Sequence, residues 1–252
     1  MKNADGLAFG GESREALAKI VSDAAKITAS CAANIGASNN SIFQGKEQHK
    51  VHKAVVINTG IFRLLCIGAS TGGPAAVEAL LRGLGKNFPL PVLYVQHVGT
   101  GSDGNMAKWF SDVCPDIGFV LARTGMIAQP GTVYMAPAGR HMVVSSVMPD
   151  GLPVLTLTDE PHEQYVKPCV NKLFRSAAAF YGRSLLAVLM TGMGRDGADG
   201  CRVIMEHGGH TIVEDESTCA VFGMPQAAIQ EGGAGEILPG NMIAGRILEL
   251  IR

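Results

Sequence analysis

Short apolar runs alternate with glycine turns and amphipathic stretches from about position 61 to the end of the chain. This alternation is typical of buried parallel strands that are joined by helices. The pattern predicts strands over 64–67, 92–96, 132–136, 185–190 and 211–213. It predicts helices from Pro74, from about Asn105, over 169–180, from about Ala198 and over 242–251.

Two further runs, 142–146 and 154–158, flank a turn at Pro149, Asp150 and Gly151 and predict an antiparallel hairpin inserted into this pattern. We therefore expect an α/β fold. Its sheet is doubly wound and mostly parallel, and helices on both faces make three α/β/α layers.

The first 60 residues have a different, polar pattern rich in alanine, serine and asparagine. Five apolar positions follow helical spacing and predict one amphipathic helix between Glu15 and Ile27: Leu17, Ile20, Val21, Ala24 and Ile27. Residues 38–52 are typical of a linker. Because one helix cannot enclose a core, we expect residues 1–60 to be an extension and 61–252 to be the main domain.

Composition excludes several classes of protein. Hydrophobic residues make up 47% of the chain and charged residues 17%, which argues against a disordered protein. A net charge of −1 gives no reason to expect nucleic acid or an anionic membrane as a partner. The chain lacks an apolar signal segment and a membrane-length apolar run, and its six cysteines form no CxxC pair. We expect a cytoplasmic protein with reduced thiols.

The first predicted strand leads into Gly68, Ser70 and Gly72, a G-x-S-x-G pattern that is followed by Pro74 at a helix start. This pattern is typical of a sharp turn that exposes a nucleophilic serine, and glycines would leave room beside the hydroxyl. The Thr71 amide at the helix N-terminus is then a candidate oxyanion donor. A glycine-rich turn can also bind phosphate, although neither GxGxxG nor a Walker lysine is present.

His97 ends the second predicted strand, and Asp196 lies in a glycine-rich loop after the strand over 185–190. The carboxyl ends of parallel strands meet at one edge, so Ser70, His97 and Asp196 can converge there. A serine, a base and a carboxylate are what acyl transfer requires. Each residue alone also fits a local role, since His97 could cap a strand and Asp196 a helix.

Several separated motifs resemble those of the catalytic domain of the chemotaxis protein-glutamate methylesterases, the CheB family. They are residues 67–74 (IGASTGGP), Gln96 and His97, 134–137, 141–143, Pro168, 191–200 (TGMGRDGADG) and 221–225 (VFGMP). The resemblance covers about residues 62–251. It implies hydrolysis of glutamyl methyl esters on chemoreceptor helices, often with deamidation of glutamines, without a metal or another cofactor. The family's triad carries over to Ser70, His97 and Asp196, with Thr71 and the Met193 backbone beside the nucleophile.

The chain also departs from the family pattern. Members commonly carry a phospho-acceptor receiver domain, but residues 1–60 contain no strand that ends in an acidic cluster, so we expect no phosphodonor kinase as a partner. Residues 98–103 and 167–171 differ from the family's usual sequence. These segments line the expected cleft, so they bear on which methylated chemoreceptor cytoplasmic domain is the substrate.

Two rival hypotheses remain open from the sequence. An ordinary α/β-hydrolase would use the chain order Ser70, Asp196 and then His207 or His210. A binding module without catalytic activity would keep the cleft and use it only to hold receptor tails. We prefer the esterase with His97 as base, because His97 ends a strand and the other two histidines flank Gly208 and Gly209 at a predicted helix end.

Overall fold

The structure, a computed structural model, describes residues 61–252, so the helix predicted between Glu15 and Ile27 lies outside the described residues. The strands are β1 (Leu64–Ala69), β2 (Val92–Gln96), β3 (Gly118–Leu121), β4 (Thr132–Met135), β5 (His141–Val147), β6 (Pro153–Thr158), β7 (Leu185–Leu189), β8 (His210–Glu214) and β9 (Glu236–Leu238). The helices are α1 (Gly73–Leu84), α2 (Asp103–Val113), α3 (Val170–Tyr181), α4 (Ala198–Glu206), α5 (Met224–Gln230) and α6 (Gly240–Leu250). A 3-10 turn, Gly182–Ser184, joins α3 to β7.

Seven strands form one parallel sheet in the order β3-β4-β2-β1-β7-β8-β9. The central strands β1, β2 and β7 are buried along their whole length, as expected for strands covered on both faces. The chain leaves β1 toward β2 and later returns to β7 on the opposite side of β1. The carboxyl ends of β1 and β7 therefore form a topological switch point, where open α/β sheets bind their ligands.

Helices cover both faces of the sheet, which confirms the doubly wound, three-layer fold. One core lies under α1, α2 and α6 and includes Leu80, Phe110 and Ile243. The other lies under α3, α4 and α5 and includes Phe174 and Met224. Each helix contributes an apolar stripe to one core, and the parallel strands contribute side chains to both.

The antiparallel hairpin of β5 and β6 is confirmed, but it forms a separate two-stranded sheet rather than part of the parallel one. The buried positions are His141, Met142 and Val144 in β5 and Pro153 and Leu155 in β6, and the other positions of both strands are partly exposed. The hairpin therefore buries mainly one face. That face packs on α3, where the Val144 amide donates to Ser176 Oγ at 3.1 Å. The hairpin therefore adds its buried side chains to the core that lies under α3, α4 and α5.

Three elements were not predicted: β3, α5 and β9. Both strands are at the edges of the sheet and are partly exposed, and α5 is only 7 residues long. Short edge elements carry little periodicity, so their sequence pattern is weak. Along residues 61–252, no helix combines the length and the apolar character that crossing a membrane requires.

Candidate active site

Ser70 lies on the turn between β1 and α1, at the carboxyl edge of the sheet. Its amide donates to the Thr191 carbonyl at 3.0 Å, and its own carbonyl accepts from the Gly73 amide at 2.8 Å. Gly72 has a φ of 80° and lets the chain turn sharply into α1, which begins with a proline in its first turn. The turn thus fixes the serine backbone on both sides.

The glycines around Ser70 also have a packing role. A Cβ on Gly68 would lie 2.4 Å from a methyl group of Val170, and one on Gly72 would lie 2.5 Å from the Ala220 Cβ. Both glycines therefore permit close packing of neighbouring segments, in addition to the sharp turn that Gly72 allows. Ser70 itself is unstrained, because the positive-φ residues other than glycine within 61–252 are Asn87, Gln164 and Tyr165.

His97 and Asp196 are in direct contact, with 2.7 Å between His97 Nε2 and Asp196 Oδ2. The His97 side chain is 15% exposed and that of Asp196 is 3% exposed. Since a carboxylate can only accept, Nε2 carries the proton and His97 Nδ1 is left as the basic nitrogen. The sequence prediction that these two side chains meet agrees with this contact.

Asp196 lies in a cradle of donors at the N-terminus of α3. Its oxygens accept from the Val170 amide at 2.7 Å, from the Asn171 amide at 3.0 Å and from Cys169 Sγ at 3.1 Å. Burial alone would raise the pKa of Asp196, but the hydrogen bond and charge of His97, with the two amides, lower that pKa below its ordinary value. The carboxylate therefore stays ionised and can stabilise a protonated His97.

Thr71 and Met193 lie on the two segments that meet at Ser70. Gly192 packs directly against the serine, since a Cβ there would be 2.7 Å from Ser70 Cβ. Among the hydrogen bonds within residues 61–252, none is donated by the backbone amide of Thr71 or of Met193. Two amides without a hydrogen-bond acceptor, on segments that meet at a serine, are what an oxyanion hole would need.

The Ser70 hydroxyl makes no hydrogen bond in the part of the chain that the structure describes. The structure thus pairs His97 with Asp196 and brings Ser70 to the adjacent strand end, without a bond between hydroxyl and imidazole. Such bonds are often long or absent before substrate binds.

Thr191, the first residue of the 191–200 motif, has a role at this site that was not predicted. Besides accepting from the Ser70 amide, Thr191 donates through Oγ1 to the Thr71 carbonyl at 2.9 Å. Its amide donates to buried Glu214 at 2.8 Å. The motif of residues 191–200 begins with this threonine, but its partners Thr71 and Glu214 are far away in sequence, so the pattern alone does not indicate the role.

The two rival histidines lie at the other end of the sheet. His210 is the first residue of β8, and its Nε2 is 2.7 Å from Glu236 Oε1. His207 follows the last residue of α4 and contacts the Val203 carbonyl. Neither contacts Asp196, so the geometry gives no support to the chain order of an ordinary α/β-hydrolase.

A cleft of about 320 Å³ opens beside His97. Its far wall is the loop of residues 159–168, which contributes His162, Tyr165 and Lys167. Three ion pairs hold this loop: Lys167 with Asp159, Lys172 of α3 with Glu160, and Arg175 of α3 with Glu163. Across residues 61–252, no cluster of three or more His, Cys, Asp or Glu side chains could hold a metal ion.

Comparisons with known proteins agree with this geometry. A family model described as CheB methylesterase matches residues 65–247. The solved CheB methylesterase catalytic domain of Thermotoga maritima superposes with a TM-score of 0.72 at 34% identity, and covers 75% of this chain and 99% of the solved chain.

Two curated relatives illustrate the sequence similarity. The protein-glutamate methylesterase/protein-glutamine glutaminase 2 of Anaeromyxobacter dehalogenans is 43% identical over 189 residues, which is 75% of this chain and 53% of the relative. The protein-glutamate methylesterase FrzG of Myxococcus xanthus is 37% identical over 190 residues, 75% of this chain and 55% of the relative. The chain thus spans about half the length of the curated relatives it matches.

Proposed function

The chain belongs to the CheB methylesterase family, and on that premise we propose that it hydrolyses glutamyl methyl esters on a protein substrate. The observation that carries the proposal is the 2.7 Å contact of His97 with Asp196, at the strand ends that flank the turn of Ser70. A base with a buried, ionised partner next to an unbonded serine hydroxyl is suited to acyl transfer.

In the proposed reaction, Ser70 Oγ attacks the ester carbonyl and His97 Nδ1 takes its proton. Asp196 keeps the other nitrogen protonated and stabilises the imidazolium. The resulting oxyanion is held by the amides of Thr71 and Met193. The bond between the carbonyl carbon and the methoxy oxygen breaks, and the protonated His97 donates its proton to that oxygen, so that methanol leaves.

The acyl-enzyme is then hydrolysed by water. His97 removes a proton from water, the hydroxide attacks the acyl carbonyl, and Ser70 leaves with the proton returned by His97. The products are a glutamate carboxylate on the substrate and the regenerated serine. We extend the proposal to the side-chain amide of glutamine, where ammonia is the leaving group, because the Anaeromyxobacter relative is named both a methylesterase and a glutaminase.

We propose the methylated cytoplasmic domain of a chemoreceptor as the protein substrate, and hence a cytoplasmic site of action. The family resemblance supports this choice, and no metal or other cofactor enters the reaction as written. Residues 1–60 are proposed to be an extension that takes no part in the chemistry.

The test is methanol release from a methyl-esterified receptor fragment, measured with the full chain. We expect turnover by the natural sequence and none by Ser70→Ala of equal thermal stability. Ser70→Ala that still binds the fragment would show that binding and chemistry are separable. Binding without methanol release by the natural sequence would instead support a receptor-binding module and contradict the proposed function.

A further inference from the structure

Gln96 is a buried polar residue at the end of β2, only 2% exposed, next to His97. Its side-chain nitrogen Nε2 donates to the Ser70 carbonyl at 2.8 Å and to the His97 carbonyl at 3.1 Å. An amide nitrogen has two hydrogens, so both are used. One buried side chain thus bonds to the backbones of the proposed nucleophile and the proposed base.

The orientation of this amide is determined by its partners. Carbonyl oxygens only accept, so the nitrogen of Gln96 must face the Ser70 and His97 carbonyls. Its oxygen Oε1 accepts from the buried Tyr94 hydroxyl at 2.6 Å. Both hydrogens of the amide are therefore satisfied in this arrangement. A reversed amide would place its oxygen against the two carbonyl oxygens and leave both of them without a donor.

The bridge begins where the β1–β2 ladder ends. The last backbone bond between the two strands runs from the His97 amide to the Ala69 carbonyl, at 3.1 Å. Beyond it, no backbone hydrogen bond within residues 61–252 joins Ser70 to His97. The Gln96 side chain takes the place of that missing backbone bond.

The neighbouring helix leaves room for this side chain. A Cβ on Gly73, the first residue of α1, would lie only 2.3 Å from Gln96 Oε1. The glycine therefore lets the helix start directly against the amide. This close approach is a second feature, independent of the hydrogen bonds, that fits a fixed position for Gln96.

We propose that Gln96 is a positioning residue, whose amide sets the spacing between Ser70 and His97 by bridging their carbonyls. This inference rests on the proposed function for the roles of those two residues. Proton transfer from Ser70 Oγ to His97 Nδ1 needs hydrogen-bond geometry, and a displacement of about 1 Å can cost about 10²-fold in rate. The hydrogen bonds that Gln96 donates reach the backbones of Ser70 and His97, not the Ser70 hydroxyl or the His97 ring.

The test compares Gln96→Met with Tyr94→Phe in the full chain. Met has nearly the size of Gln and removes both donors, whereas Phe removes the Tyr94 hydroxyl and leaves both carbonyl contacts in place. Both changes disturb the same buried group, so thermal unfolding gives a matched measure of stability. The readouts are kcat and KM on the methyl-esterified fragment and the rate at which a fluorophosphonate labels Ser70.

We expect Gln96→Met to lower kcat and the labelling rate by about tenfold to 100-fold, with KM changed less than about twofold. Tyr94→Phe should keep both rates within about threefold at a similar loss of Tm. Gln96→Leu, which also has no donors for the two carbonyls, should resemble Gln96→Met, and replaces it if that variant does not fold.

Equal rate losses in Tyr94→Phe and Gln96→Met would overturn the proposal, because the effect would then follow stability alone. A labelling rate within twofold of the natural one in a folded Gln96 variant would do the same. Labelling is independent of the ester assay: if the natural chain is labelled at Ser70 but releases no methanol, the proposed function fails and labelling alone decides the role of Gln96. If Ser70 is not labelled in the natural chain, the positioning proposal fails as well.

Discussion

Asp196 and Asn171 cap two helices reciprocally: Asp196, which precedes α4, caps α3, and Asn171, which lies in α3, caps α4. The Asp196 carboxylate accepts from the first two amides of α3, those of Val170 and Asn171. Asn171 Oδ1 in turn accepts from the amides of Gly197 and Gly200 at the start of α4, at 3.0 and 2.8 Å. Since neither helix has a side-chain N-cap of its own, this exchange satisfies the amides that each leaves unpaired.

Asn171→Ala should therefore affect both stability and activity. It leaves two buried amides without an acceptor, and we expect a loss of about 1–3 kcal/mol in the free energy of unfolding. We also expect a lower kcat, because the loop that carries Asp196 loses its anchor. Urea unfolding and ester hydrolysis measure the two effects. An Ala variant with natural stability would contradict the reciprocal cap.

The base is tested by replacing single histidines. His97→Gln should cost on the order of 10⁴-fold to 10⁶-fold in kcat, whereas His207→Gln and His210→Gln should cost little. Asp196→Asn should also be severe, because the imidazole loses the carboxylate that fixes its tautomer. Combining it with His97→Gln should add far less than the product of the single losses. A His97 variant with more than about a tenth of natural activity, beside an inactive His210 variant, would favour the other chain order.

The acid stability of the domain should depend on Asp196. Its pKa is lowered in the folded chain, so its contribution to stability is present above the ordinary value of 3.8 and is lost as the pH falls through the folded pKa. We expect the natural chain to lose more stability than Asp196→Asn between pH 5 and pH 3, roughly the range around that ordinary value. Urea midpoints at each pH measure this difference. Other carboxylates titrate in both chains, so their effects cancel, and parallel curves would contradict the prediction.

Tyr165 should contribute to recognition of the protein substrate. It is 98% exposed beside the cleft, and both it and Gln164 have positive φ in a tight turn closed by a 3.1 Å bond from the Val166 amide to the Glu163 carbonyl. Such strain in bulky residues is typical of functional loops. We expect Tyr165→Ala to raise KM for the methyl-esterified fragment by about fivefold to tenfold, with little change in kcat.

A small ester separates recognition from chemistry in this experiment. Hydrolysis of p-nitrophenyl acetate should be unchanged in Tyr165→Ala, because that ester does not reach the rim of the cleft. Phe180→Ala is the matched control, since Phe180 is an exposed aromatic residue near the C-terminal end of α3, away from the site. A KM effect as large in Phe180→Ala as in Tyr165→Ala would assign no special role to the loop.

Residues 61–252 should fold and work without the first 60 residues. Phe62 is buried at 5% exposure, and the two cores that flank the sheet are built from residues 62–251. We expect a chain that starts at Ile61 to unfold cooperatively and to keep kcat within about twofold of the full chain. Calorimetry and ester hydrolysis measure this. A truncated chain without a cooperative transition would mean that the first 60 residues contribute to the core.

The central strands could be predicted because their whole length is buried. The apolar runs over 92–96 and 185–190 correspond closely to β2 and β7. His97 and Asp196 could be found for a related reason, since polar residues in the loops that leave the carboxyl ends of buried strands lie at the binding edge of a parallel sheet. These predictions needed only the local sequence, namely an apolar run and the polar residues of the loop that follows it.

The supporting contacts could not be predicted, because they join positions that are distant in sequence. Gln96 bonds to Ser70 across 26 positions, and Thr191 bonds to Thr71 across 120. The packing role of Gly68 was missed likewise, since Val170 reaches it only in the folded chain. A sequence pattern indicates which residues end a strand, but the partners of a buried amide or hydroxyl depend on tertiary structure.

The fold uses only the backbone of Ser70. Its three hydrogen bonds involve the amide and the carbonyl, and none involves the hydroxyl. In a living cell, a Ser70→Ala chain should therefore accumulate at normal levels and compete with the active enzyme for substrate, so that the mutant allele is dominant. An Asp196→Asn chain should lose stability together with its chemistry, because Asp196 bonds to the first two amides of α3, and proteases should deplete it, so that its allele is recessive.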